Sequence, residues 1–280
     1  MKQALSHCRI ASILAVLAFG WSAGPWAPPV QAADREETLP GRPDVTQRTI
    51  VVTPDPAKFS GPLRAAVLLY VGGNGSLKET RGNFLMRIRQ RLADAGFLVA
   101  LPDAPSDRVG GSNMNGSFRA SQAQARDAQA VVEFLKKQGD GQPLPVFVIG
   151  TSRGSTSAAN VAARLGPDLI TGAGLTSTVT QNSVKGQISV YETPLKDIRV
   201  PTLVMWHQDD ACKETPPERA AELTKALTAA PKIETKTLSG GLPPRSASCD
   251  ALAAHGYYGI EGEATAALLA WMDGLLAARQ

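Results

Sequence analysis

The sequence predicts an α/β protein with a mostly parallel central sheet and helices on both of its faces. Two observations carry this. Short apolar runs alternate along the chain with longer segments whose apolar residues recur at helical spacing. The runs "RAAVLLYV", "GFLVALP" and "LPVFVIG" are apolar almost throughout, as strands buried on both faces require. Internal repeats and low-complexity tracts are absent, and the length suits one large domain better than two small ones.

The elements follow in order. Thr49 to Pro54 ("TIVVTP") reads as an edge strand, and Arg64 to Val71 as a buried one that stops at Gly72. Phe84, Leu85, Ile88 and Leu92 mark a helix from about Arg81 to Ala95. "GFLVALP" is a short strand, and "SFRASQAQARDAQAVVEFLKKQ" is read as one long helix. The strand "LPVFVIG" leads into the helix "STSAANVAARLG", with Gly166 and Pro167 as stop signals. "LITGAGL", "VPTLVMW" and "IETKTL" are further strands; "PPERAAELTKALTAA" and "IEGEATAALLAWMDGLLAARQ" are further helices.

Residues 1–32 have the pattern of a signal peptide. Lys2 and Arg9 precede an apolar run, Ile10 to Trp21, too short for the roughly 20 residues that span a bilayer. Pro25, Pro28 and Pro29 follow, and Val30 and Ala32 set small residues where a signal peptidase cuts. Cleavage after Ala32 is expected, with export to the periplasm or the medium. No "L-x-x-C" precedes the cut, so no lipid anchor is expected. Residues 33–47 are polar and are expected to trail over the surface, ahead of a folded domain spanning 48–280.

The charge balance excludes more than it suggests. Lys plus Arg is 29 against 25 for Asp plus Glu, and loss of Lys2 and Arg9 leaves a nearly neutral chain. There is no basic cluster, and aromatics are 5%, so a nucleic-acid partner is not expected. Beyond the leader no run reaches membrane-spanning length. No Walker A, no metal-spaced His/Cys cluster and no G-x-G-x-x-G after a strand is present, so neither a cofactor nor a metal is expected. The composition does not specify an oligomeric state.

In open α/β sheets ligands bind beyond the carboxyl ends of the strands, so the chemistry is sought there. After "LPVFVI" stands Gly150-Thr151-Ser152-Arg153-Gly154, a G-x-S-x-G pattern between a strand and a helix. The glycines permit a tight turn that projects the Ser152 hydroxyl at a helix N-terminus, where the dipole favours developing negative charge. A serine needs a base. After the leader only His207 and His255 remain; His255 lies on a Gly-flanked loop after the last strand, and His207 ends "VPTLVMWH". A base needs an acid, and Asp209 and Asp210 follow His207.

The segments "GTSRG", "VPTLVMWHQDDAC" and "AHGYYG" resemble the nucleophile, acid and histidine segments of the α/β-hydrolase superfamily, in the chain order Ser, Asp, His. The resemblance covers nearly the whole chain after the leader and is nearest to small secreted bacterial members without a large lid. It implies Ser152 as nucleophile, His255 as base and Asp210 as acid, with Asp209 the alternative. The acid strand of relatives often ends G-x-x-D; His207 stands here at that glycine. The resemblance also implies an oxyanion hole from the backbone N–H of Arg153 and that of Asn74, or of Gly73, in "YVGGNG". Such a triad would bring the acid and histidine loops together, so a disulfide between Cys212 and Cys249 is expected. The activity implied is cleavage of a small-molecule ester or thioester through an acyl-enzyme. Peptidase or acyltransferase chemistry, or non-catalytic binding, are the alternatives. The Ser/Thr-rich stretch after "LITGAGL", with Gly110 to Phe118, is expected to line an open cleft. Asp103 and Asp107 also follow a strand; they are read as turn and capping residues, with substrate binding the alternative.

Overall fold

A computed structural model describes residues 34–78, 80, 82–110, 114–182 and 188–279. The expected signal peptide lies outside the described residues. Among these, eight strands form one sheet: β1 (Asp34–Pro40), β2 (Thr46–Val52), β3 (Ala65–Tyr70), β4 (Phe97–Pro102), β5 (Val146–Thr151), β6 (Gly172–Thr176), β7 (Thr202–His207) and β8 (Ile233–Leu238). Their spatial order is β1-β2-β4-β3-β5-β6-β7-β8. β1 pairs antiparallel with β2, and β2 antiparallel with β4; all later pairings are parallel.

The helices are α1 (Phe84–Asp94), α2 (Gly116–Arg119), α3 (Gln122–Lys136), α4 (Gly154–Leu169), α5 (Ala220–Ala226) and α6 (Glu261–Ala277). Strand residues alternate between two cores, as the period of 2 requires. From β3, Ala66, Leu68 and Tyr70 face α3 and α4, while Ala65, Val67 and Leu69 face α1 and α6. Both faces of β3 are buried, which is why its sequence is an unbroken apolar run.

Four expectations are corrected. Thr49 to Pro54 is not the sheet edge, and of the segment expected to trail over the surface, residues 34–47 do not. Asp34–Pro40 forms the edge strand, in register from Asp34 opposite Val52 to Pro40 opposite Thr46. It buries only Leu39 and is held by backbone pairing and ion pairs, Glu36 with Arg48 and Asp34 with Arg89. A charged edge resists pairing with other chains, and the lack of apolar alternation hides the strand in the sequence. The single long helix over residues 117–138 is two. Ser121 interrupts it, accepting from the Gln124 N–H as the cap of α3. The segment "PPERAAELTKALTAA" yields only Ala220–Ala226 as α-helix, after a 3₁₀ turn at Pro217–Arg219. At Gly166 (φ 65°) α4 kinks, and one further turn carries Pro167.

Candidate active site at the strand ends

β5 delivers Ser152 at the centre of the parallel sheet. The turn into α4 is so tight that a Cβ on Gly150 would lie 2.1 Å from the Gly154 carbonyl oxygen, and one on Gly154 2.0 Å from that of Tyr70. Only glycine fits either position. Ser152 itself sits in the left-handed region at φ 55°, a conformation that costs a non-glycine residue of order 1–3 kcal/mol. Backbone bonds hold it there. Its N–H donates to the Thr176 carbonyl at 3.1 Å, and its carbonyl accepts from the Ser155 N–H at 2.9 Å and the Ser155 hydroxyl at 2.6 Å.

The loop after β7 delivers the acid pair and separates its two members. Asp210 is buried; Asp209 points to solvent, its side chain 64% exposed. The Asp210 Oδ2 accepts from the His255 Nδ1 at 2.9 Å and from the Thr215 hydroxyl at 2.8 Å. Its Oδ1 accepts from the Cys212 N–H at 2.9 Å. Thr215 Oγ1 also lies 3.1 Å from His255 Nδ1. His255 is itself buried, and its Nε2 makes no hydrogen bond among the described residues. Ser152 and His255 line the same cavity.

His207 is occupied at both ring nitrogens. Its Nδ1 accepts from the Asp209 N–H at 3.0 Å, which fixes the proton on Nε2, and that nitrogen donates to the Gly240 carbonyl at 2.9 Å. It clips the acid loop to the end of β8 and has no nitrogen left to act as a base.

Two clasps hold the histidine loop. A Cys212–Cys249 disulfide joins it to the acid loop. The Arg87 guanidinium donates to the Gly256 carbonyl at 2.6 Å and the Ala251 carbonyl at 3.1 Å, besides that of Gly82, and pairs with Glu261 at 3.0 Å. Underneath, the Ser177 hydroxyl donates to the His255 carbonyl at 2.8 Å, and the Tyr257 phenol to the Met205 carbonyl at 3.1 Å. Burial pushes that phenol well above its ordinary range, so it remains a donor.

The cavity has a volume of about 430 Å³. Gly73, Asn74, Thr80 and Asn83 line it, together with Cys249 to Ala251 and His255. Arg153 stands at the start of α4, where backbone N–H groups have no partner within the helix. Its side chain turns away to Glu214 at 3.5 Å. The cleft is not lined as expected. Among the described residues neither the Ser/Thr-rich stretch after β6 nor Gly110 to Phe118 contributes to it. The former folds against the body: the Thr180 and Gln181 N–H groups both donate to the Glu214 carbonyl, and the Val190 N–H to that of Val179. Asp103 accepts from Arg48 and from the Leu77 and Ala104 N–H groups, and Asp107 pairs with Arg42.

Sequence reading missed Thr215, Arg87 and Arg119, whose polar atoms hold this site together. Arg119 is buried beneath the Gly72–Asn74 turn, donating to the Val71 and Gly73 carbonyls. Among the described residues no cluster of three or more His, Cys, Asp or Glu side chains is placed to hold a metal ion, and no helix is long and apolar enough to cross a membrane.

No family model and no curated protein matches the sequence. Solved structures do match. Est1E from Butyrivibrio proteoclasticus shares 13% identity over 86% of this chain and 99% of its own, with a TM-score of 0.60. An esterase of Pyrococcus furiosus shares 15% over 77% and 87%, at 0.55. An α/β serine hydrolase without lid from Xanthomonas campestris shares 19% over 77% and 88%, at 0.50. The chain has the α/β-hydrolase fold. At such identities the likeness speaks for the fold alone, and the chemistry rests on the site.

Proposed function

We propose that this protein is an exported serine hydrolase that cleaves a carboxylic ester or thioester through an acyl-enzyme. Ser152 is the nucleophile, His255 the base and Asp210 the acid. One observation carries the reading. A buried imidazole is tied by Nδ1 to a buried carboxylate, and its other nitrogen, without a partner among the described residues, belongs to the cavity that Ser152 lines from a strained turn.

The chemistry follows from the tautomer. With its proton on Nδ1, directed at Asp210, His255 presents a lone pair at Nε2. That nitrogen takes the Ser152 proton as Oγ attacks the acyl carbon, and Asp210 stabilises the imidazolium that forms. The carbonyl oxygen gains the negative charge, met by the Arg153 N–H and by that of Asn74, with Gly73 the alternative donor. Imidazolium then protonates the leaving alcohol or thiol. Water, deprotonated by the same nitrogen, attacks the acyl-Ser152 ester and releases the acid.

A cavity of this size, walled by Thr80, Asn83 and Asp250, fits short, soluble acyl groups. The Cys212–Cys249 bond suits the oxidising compartment that export would reach.

A fluorophosphonate probe followed by peptide mapping should mark Ser152, and p-nitrophenyl esters of short acyl chains should be hydrolysed. Neither labelling nor hydrolysis would sink the reading and leave a non-catalytic binder. Labelling without ester turnover, but with amide cleavage or acyl transfer, would move it to the peptidase or acyltransferase reading. A serine-marked protein found only in the cytoplasm, with residues 1–32 intact, would overturn export.

A further inference from the structure

Arg119 ends α2 with its guanidinium fully inside the protein, 1% exposed. Among the described residues its partners are four neutral oxygens, none of them a carboxylate. Nε donates to the Met114 carbonyl at 2.8 Å, and one terminal nitrogen to the Ser157 hydroxyl at 3.0 Å, one turn into α4. The other donates to the Val71 carbonyl at 3.2 Å and the Gly73 carbonyl at 3.4 Å. Burial, with the Arg153 charge adding to it, pushes the guanidinium down to about 9. A buried cation with no counter-ion among the described residues is costly to keep, so its place here calls for a task.

The Gly73–Asn74 peptide is trans. In a trans peptide the C=O and the following N–H point in opposite directions. Arg119 draws the Gly73 carbonyl inward, so the Asn74 N–H points the other way, toward the cavity that Gly73 and Asn74 line. The same guanidinium grips the helix that follows the nucleophile, through Ser157. It therefore ties the two halves of the oxyanion hole, Asn74 and Arg153, into one rigid unit. The turn packs closely on it: a Cβ on Gly75 would lie 2.6 Å from the Met114 side chain and 2.8 Å from a terminal nitrogen of Arg119.

We propose that Arg119 is the positioning residue of the oxyanion hole, aiming the Asn74 N–H at the developing oxyanion by holding the Gly73 carbonyl. This rests on the serine-hydrolase reading above, and it selects Asn74 over Gly73 as the second donor. Arg119 touches no substrate and acts through the peptide alone. Lysine cannot replace it, since one ammonium cannot span four oxygens spread over two segments.

The test uses Arg119→Lys and Arg119→Met on the full chain, with active sites titrated by a fluorophosphonate burst. Losing one oxyanion donor costs on the order of 10²–10³ in kcat, so Arg119→Met should lose about 10²-fold per titrated site. KM should move less than about 3-fold, because the bound ester does not use this donor. Affinity for a trifluoromethyl ketone, whose adduct carries the oxyanion, should weaken in parallel with kcat/KM. Arg119→Lys should recover only part of the loss. A merely structural role would lower Tm and the titratable fraction but leave kcat per site and ketone affinity unchanged, and that result overturns the proposal. If neither variant folds, Ser157→Ala removes a single partner, and about fivefold loss of kcat per site is expected from one weakened anchor. An unchanged kcat there overturns the proposal equally. The wild type separates the two readings. No labelling of Ser152 fells the hydrolase reading and this one with it, whereas active wild type with unaffected variants fells this one alone.

Discussion

Asp210→Asn should abolish catalysis while leaving the fold intact, and the size of the loss follows from three hydrogen bonds. The carboxylate accepts at Oδ1 from the Cys212 N–H, and at Oδ2 from His255 Nδ1 and the Thr215 hydroxyl. An amide retains one oxygen. The Cys212 N–H cannot be reversed, so it claims that oxygen and turns the amide nitrogen toward His255. The Thr215 hydroxyl can rotate to accept. His255 can accept at Nδ1 only by carrying its proton on Nε2, where a donor then faces Ser152 in place of a lone pair. A triad locked in the wrong tautomer loses about 10⁴ in kcat, or about 5 kcal/mol of transition-state stabilisation. The assay is kcat per folded molecule on a short p-nitrophenyl ester, with Asp209→Asn as control. The Asp209 carboxylate is 64% exposed and approaches His207 only to 4.0 Å, so that variant should stay within about 2-fold. Asp210→Asn keeping more than about a tenth of wild-type kcat, or Asp209→Asn losing as much as Asp210→Asn, would refute the reasoning.

His207→Asn should lower stability by about 1–3 kcal/mol, since it leaves the Asp209 N–H and the Gly240 carbonyl without their partner, yet keep kcat per titrated site within about 3-fold; loss of kcat at full stability would make His207 the base. Replacing Cys212 and Cys249 together by serine opens a loop with a sequence separation of 37, worth about 4 kcal/mol on the chain-entropy model, so Tm should fall by roughly 8–16 °C in differential scanning calorimetry. Non-reducing peptide maps of exported protein should show the bond, and two free thiols there would count against it. Thr215→Val removes a hydroxyl bonded to an ionised group; kcat should drop about 10-fold at steady KM, and an unchanged kcat would show that Asp210 is aligned without it.

The fold is legible in the sequence where burial is two-sided. β3, β4 and β5 are apolar runs because both of their faces are covered, and the residues that interrupt them begin the loops that carry the site. Legibility fails where burial fails. β1 exposes nearly every side chain and is held by backbone pairing and surface ion pairs, so nothing in its composition separates it from a polar linker. The break at Ser121 carries its signal, a capping residue, but a cap inside an otherwise helical stretch has no apolar discontinuity to announce it.

At the site, legibility follows covalent constraint. Gly150 and Gly154 can be read because no other residue fits the contact with the Gly154 and Tyr70 carbonyls, so a steric necessity becomes a written pattern. Asp210 and Asp209 are adjacent and chemically identical; only the turn that buries one and exposes the other tells them apart. Thr215, Arg87 and Arg119 have no pattern at all. Thr215 acts on a carboxylate five residues away with no motif to mark it, and the two arginines act on groups far away in the chain: Arg87 on Ala251 and Gly256, Arg119 on Val71, Gly73 and Ser157. A sequence names the groups that react, because few residue types can do that chemistry. It is silent on the groups that aim them, because what selects such a side chain is the set of oxygens the fold brings within hydrogen-bond reach, and no local pattern records that. The aiming groups are therefore where mutation should separate catalysis from stability. On the proposed reading a lost nucleophile or base removes chemistry outright, whereas a lost Arg119, where the variant folds, leaves the reacting side chains in place and frees the Gly73–Asn74 peptide to turn.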